Sequence, residues 1–123
     1  MVKQVIATGG FLLAILFFGQ SAFAAGALAI DSNQGSRYGF AYDHASLSEA
    51  QQRAMNECGS RCRVVLRFEN GCGAYAADQS TGSTVHGWGT ASSGAAAQGK
   101  ARSECRSRGG SSCTVRSWGC NAR

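Results

Sequence analysis

Residues 62–78 read Cys62-Arg63-Val64-Val65-Leu66-Arg67-Phe68-Glu69-Asn70-Gly71-Cys72-Gly73-Ala74-Tyr75-Ala76-Ala77-Asp78. The first seven alternate: Cys62, Val64, Leu66 and Phe68 point one way, and Arg63, Val65 and Arg67 the other, the two-residue period of a half-buried strand. Asn70-Gly71 accepts the positive backbone angles of a two-residue hairpin turn. Residues 72–77 are therefore expected to return antiparallel beside residues 62–68.

Upstream, residues 27–30 and 37–42 are short strand candidates around Ser32-Asn33-Gln34-Gly35, which has the turn chemistry that closes hairpins. A helix follows. Ser46 and Glu49 have the spacing of a capping box, Leu47, Ala50, Ala54 and Cys58 share one helical face, and Gly59 ends the run. Downstream, residues 84–90 form a strand and residues 93–106 a helix with Ala97, Ala101 and Cys105 on one face. Gly109-Gly110 stops that helix, and residues 113–118 form the last strand.

The two halves resemble one another. Tyr38-Gly39-Phe40 matches His86-Gly87-Trp88; Ala50, Ala54 and Cys58 match Ala97, Ala101 and Cys105; Cys62 and Val64 match Cys113 and Val115; and Cys72 matches Cys120. The expected fold is α+β: two ββαβ-like copies, about residues 26–78 and 83–121, related by a pseudo-twofold axis, with a mostly antiparallel sheet packed by two helices and stapled by disulfides.

The first residues have the order of an export signal. Met1 and Lys3 precede an uncharged apolar run over 5–18, too short to span a bilayer comfortably, and Ala22 and Ala24 supply the small residues before a cut. Residues 1–24 are expected to be removed, leaving one domain over 25–123 in the periplasm or outside the cell. Nothing after the cut is long and apolar enough to cross a membrane.

All six cysteines fall in that domain, and an even count after a secretory signal reads as three bridges. Intervals of three, nine, thirty-two, seven and six residues lack the close pairs of a zinc site, so no metal or cofactor is expected. Six cysteines allow fifteen pairings. The repeat suggests Cys58 with Cys62, Cys105 with Cys113, and Cys72 with Cys120 across the pseudo-twofold axis.

Once Lys3 is removed, eleven basic residues, ten of them arginine, face seven acidic ones. Arginine's planar fork pairs carboxylates and phosphates two-pronged. Arg63 and Arg67, taken as sharing a strand face, with Arg61 beside them and Arg116 nearby, are candidates for an anion-reading patch, and Trp88 and Tyr38 for an aromatic surface. Nucleic acid is disfavoured, because the export signal directs the chain away from it and no reading helix or stacking motif is visible.

The runs Gly26-Ala27-Leu28-Ala29-Ile30-Asp31, Tyr38-Gly39-Phe40-Ala41, Cys62-Arg63-Val64-Val65-Leu66-Arg67-Phe68, Asn70-Gly71-Cys72 and Ala74-Tyr75-Ala76-Ala77-Asp78, with Gly87-Trp88-Gly89 and Trp118-Gly119-Cys120-Asn121, resemble the domain of unknown function 4189 family. The resemblance implies a small exported bacterial protein and carries no catalytic motif.

Two function classes follow. The favoured one is a non-enzymatic binding, inhibitory or effector module, whose partner is an envelope or extracellular protein or an anionic ligand. The alternative is a small secreted hydrolase acting on cell wall or another extracellular polymer, with His44 and Asp43 or Asp78 moving the proton. No nucleophile elbow, metalloprotease helix or phosphate loop supports an enzyme.

Overall fold

The computed structural model describes residues 23–31 and 37–122. The export signal, apart from Phe23 and Ala24, and the turn over 32–35 lie outside the described residues. The elements run β1 (Ala25–Asp31), β2 (Tyr38–His44), α1 (Leu47–Cys58), β3 (Cys62–Glu69), β4 (Cys72–Asp78), β5 (His86–Ala91), α2 (Gly94–Ser107) and β6 (Cys113–Cys120).

Six strands form two antiparallel three-stranded sheets of matching order, β2-β1-β3 and β5-β4-β6. Each sheet is one ββαβ unit with its own helix. This moves the boundary expected from the repeat. β4 does not return beside β3 as a hairpin partner; it becomes the central strand of the second sheet. Asn70 and Gly71 do adopt positive φ, 60° and 66°, but the turn passes the chain from one sheet to the other. The units are therefore β1 to β3 and β4 to β6, in place of 26–78 and 83–121. Gly26-Ala27-Leu28-Ala29-Ile30-Asp31 is the counterpart of Gly73-Ala74-Tyr75-Ala76-Ala77-Asp78. The same backbone bond closes both: Asn70 N donates to Ala24 O at 3.2 Å, and Asn121 N to Gly71 O at 2.8 Å.

Strand alternation builds four layers. Ala25, Ala27 and Ala29 of β1 face Ala50, Ala54 and Cys58 of α1, while Cys72, Ala74 and Ala76 of β4 face Ala97, Ala101 and Cys105 of α2. The opposite faces meet in the middle, where Leu28, Ile30, Phe40 and Phe68 pack with Tyr75 and Ala77. Alanine-lined helix faces let each helix backbone lie directly on a glycine. A Cβ at Gly39 would stand 1.9 Å from Ala54 O, and one at Gly87 2.4 Å from Cys105 N. Ser46 and Ser93 cap the helices by accepting from Glu49 N at 3.1 Å and Ala96 N at 3.2 Å. The return arm of the expected capping box, from Ser46 N to the Glu49 carboxylate, is not formed among the described residues.

Both third strands carry a bulge at the same place. Leu28 pairs with Leu66 but Ala29 with Val64, leaving Val65 extra; Tyr75 pairs with Ser117 but Ala76 with Val115, leaving Arg116 extra. The bulge breaks the alternation expected for β3. Val64 packs on the α1 side, whereas Val65, Leu66 and Phe68 belong to the middle layer. Arg63 and Arg67 therefore lie on opposite faces, and Arg67 Nε donates to Gln51 Oε1 of α1 at 3.0 Å.

The disulfides join Cys58 to Cys62, Cys105 to Cys113 and Cys72 to Cys120. These are the pairs the repeat suggests, but the third does not cross between copies. Cys72 opens the second unit and Cys120 closes it, facing each other on neighbouring strands. Their counterparts in the first unit are Ala25 and Glu69, which also face each other.

Candidate functional site

Towards the end of the sandwich where β1 and β4 finish, the middle layer holds a row of rings in which Tyr38, His86 and Trp88 are half-buried and Tyr75 is fully buried. Tyr38 of β2 lies 5.0 Å from Tyr75 of β4, Tyr75 6.2 Å from His86 of β5, and His86 is stacked on Trp88 at 5.6 Å. Guanidinium groups stand over both ends: Arg108 is 4.9 Å from the Trp88 ring centre and Arg116 5.6 Å from that of Tyr38. A cation held over a ring face keeps its in-plane N–H donors directed outward. The charge of Arg63 also reaches His86.

The fold explains each position. Arg116 is the bulged residue of β6, so it leans into the middle layer where strict alternation would turn it away; Val65 holds that position in the first unit. Arg108 follows α2 in a link of seven residues between Cys105 and Cys113, where the first unit has three between Cys58 and Cys62. Two of the three disulfides staple these links, fixing Arg63 just beyond Cys62 and holding Arg108 between Cys105 and Cys113.

Burial is the main cause that lowers the His86 pKa; the bond to Thr84 opposes it, and the charges of Arg108 and Arg63 lower it further. Burial also pushes Tyr75 up to about 12, against the pull of Arg116. Of the carboxylates at this end, Glu104 pairs with a cation of the row and the other two are engaged elsewhere. Asp31 lies 3.7 Å from Arg37, Glu104 lies 3.8 Å from Arg108, and Asp78 accepts from Ser80 and Ser112. Among the described residues Arg63 and Arg116 form no ion pair.

Of the residues singled out from sequence, the structure brings together Arg63, Arg116, Trp88 and Tyr38. Arg67 is apart from them, on the α1 side and at the rim of an open groove of about 480 Å³ that Phe68, Glu69, Asn70, Thr90 and Ser92 also line. His86 and Tyr75 also belong to the row, as does Arg108, which sequence reasoning missed. The longer link after α2 was the readable sign of Arg108.

The three catalytic candidates do not converge. Asp43, with φ of 63°, and His44 end β2 at the opposite pole from Asp78, which ends β4 a strand length away, about 20 Å. Asp43 N donates to Asn121 Oδ1 at 2.6 Å, and Asp43 Oδ1 accepts from Ala122 N at 3.1 Å. This pair of bonds is a latch between sheets. Neither His44 nor Asp43 lines the groove.

Comparison with protein families matches residues 25–120 to the domain of unknown function DUF4189. No curated protein and no solved structure matches the chain.

Proposed function

We propose that this chain, which belongs to the DUF4189 family, is a non-enzymatic binding module that holds an anionic ligand at its basic, ring-lined pole. The observation that carries the reading is the pair of guanidinium groups seated over Trp88 and Tyr38, with the charge of Arg63 acting on His86 and Glu104, beside Arg108, the one carboxylate in ion-pair range of these three arginines among the described residues. A stacked guanidinium sacrifices little side-chain freedom when an anion arrives, and the flanking disulfides fix the backbone that carries it, so the cost of ordering is low. Export of the domain after loss of residues 1–24 belongs to the same reading. Three disulfides support a destination outside the cytoplasm, and among the described residues no helix is long and apolar enough to cross a membrane.

The test separates a site from bulk charge. Residues 25–123 are bound to immobilised dextran sulfate and eluted with salt, alongside two variants of equal net charge: Arg63→Gln, Arg108→Gln, Arg116→Gln at the pole, and Arg53→Gln, Arg67→Gln, Arg102→Gln away from it. A hydrogen bond to a charged group contributes about 1.5–3 kcal/mol. The pole variant is expected to bind at least about tenfold more weakly than the control. Equal weakening of the two variants would refute the reading.

A further inference from the structure

The three disulfides do not stand on the same kind of backbone. Cys58–Cys62 and Cys105–Cys113 each tie the last turn of a helix to the start of the following strand, with Cα atoms 6.1 and 6.0 Å apart. That is close to the spacing of about 5.5–6 Å at which a bridge fits most readily. Cys72 and Cys120 are partners in the β4–β6 ladder, with Cα atoms 3.9 Å apart, short of the roughly 4.4 Å at which the usual range begins. Directly opposed residues of antiparallel strands lie about 4.5 or 5.5 Å apart, so this pair cannot widen to the spacing of the other two without parting the sheet. A bridge held too short by its backbone is the more readily reduced one.

The duplication supplies a control. At the matching place in the first unit Ala25 faces Glu69, and β1 and β3 keep their register there with no bridge. Both units close with the same backbone bond, from Asn70 N to Ala24 O and from Asn121 N to Gly71 O. Ladder and closing bond are thus enough to hold this end of a sheet. The other two bridges join a helix to a strand, where no ladder stands in for them. Access does not distinguish the three, because each joins a buried cysteine, Cys58, Cys72 or Cys105, to a half-buried one, Cys62, Cys120 or Cys113.

We infer that Cys72–Cys120 is a thiol–disulfide exchange site, opened in the folded domain by a dithiol reductant, and that the other two bridges are structural. A thiolate of the reductant bonds to Cys120, the more accessible partner, as the bond between Cys72 and Cys120 breaks; the electron pair leaves on Cys72 Sγ, which takes up a proton. The second thiolate of the reductant then displaces Cys120 Sγ, which is protonated in turn. The reductant leaves as a disulfide, having passed two electrons to the bridge.

Treating the oxidised protein with graded dithiothreitol, quenching with acid, alkylating and mapping the peptides by mass tests this without any variant. Cys72 and Cys120 are expected to be alkylated at least about tenfold faster than the other four cysteines, as a labile bridge is, while circular dichroism shows the sheets and helices retained. With glutathione as the attacking thiol, the mixed disulfide is expected on Cys120. Earlier opening of Cys58–Cys62 or Cys105–Cys113, or opening of all three bridges in one unfolding step, would overturn the inference; an adduct on Cys72 would overturn the direction of attack. The anion reading at the opposite pole stands or falls separately.

Discussion

Asp78 shows how a carboxylate at a strand end becomes structural. Its Oδ1 accepts from Ser112 N at 2.8 Å and from Ser80 Oγ at 3.1 Å, tying the exit of β4 to the entrance of β6. The Ser83 hydroxyl is the largest cause of a pKa lowered to about 2; burial opposes it, and the bonds from Ser112 and Ser80 lower it further. A carboxylate depressed on folding adds stability above its unfolded pKa of about 3.9, and that stability disappears as pH falls through the folded value. Carbon-detected NMR is expected to show Asp78 titrating near pH 2, and Asp78→Asn is expected to weaken the pH dependence of unfolding between about 4 and 2. His86 has the other sign of charge but the same direction of effect. Its lowered pKa makes its contribution complete above about 6.5 and removes it as pH falls through the folded value. Sequence gives both residues their strand positions. Their environments come from Ser112, Arg108 and Arg63, which no local spacing places beside them.

The helices were the most legible elements, because an N-cap serine and a stripe of small residues are local signals. Each cap satisfies an amide of the first turn, so Ser46→Ala and Ser93→Ala are each expected to cost about 1 kcal/mol in urea unfolding. The third strands were legible as strands and misread as surfaces. Strict alternation places Arg63 and Arg67 together, but the extra residue at Val65 turns Arg63 toward the other sheet and Arg67 toward Gln51. A bulge is defined by the partner strand, and β1 lies more than thirty residues upstream of β3. The same device places Arg116 over Tyr38, so the irregular step in each sheet is what builds the candidate site.

At the scale of the whole molecule, two units are joined through their middle faces and by the bonds of Asn121 and Ala122 with Asp43 at the pole opposite the candidate site. Asn121 is buried, accepts from Asp43 N and donates from Nδ2 to Phe68 O at 3.4 Å, while its own amide binds Gly71 O. Asn121→Ala removes the side-chain bonds to Asp43 N and Phe68 O, keeps the backbone bond to Gly71 O, and is expected to cost about 1–3 kcal/mol by thermal or urea unfolding. Duplication was plain in the sequence, although matching Cys72 to Cys120 placed its boundary a strand too late. The match of Gly26-Ala27-Leu28 with Gly73-Ala74-Tyr75 gives the boundary correctly, and the two sheets follow it. The duplication also made room for the candidate site, since the longer link after α2 and the arginine at the second bulge have no counterparts in the first unit.

The most direct measurement is an amide and side-chain NMR titration of residues 25–123 with a dextran sulfate oligomer. The account predicts saturable shifts concentrated at Tyr38, Arg63, His86, Trp88, Arg108 and Arg116, with Arg67, Asn70 and Asn121 unmoved. Shifts concentrated around Arg67 and Asn70, or a linear drift spread evenly over the basic residues, would contradict it.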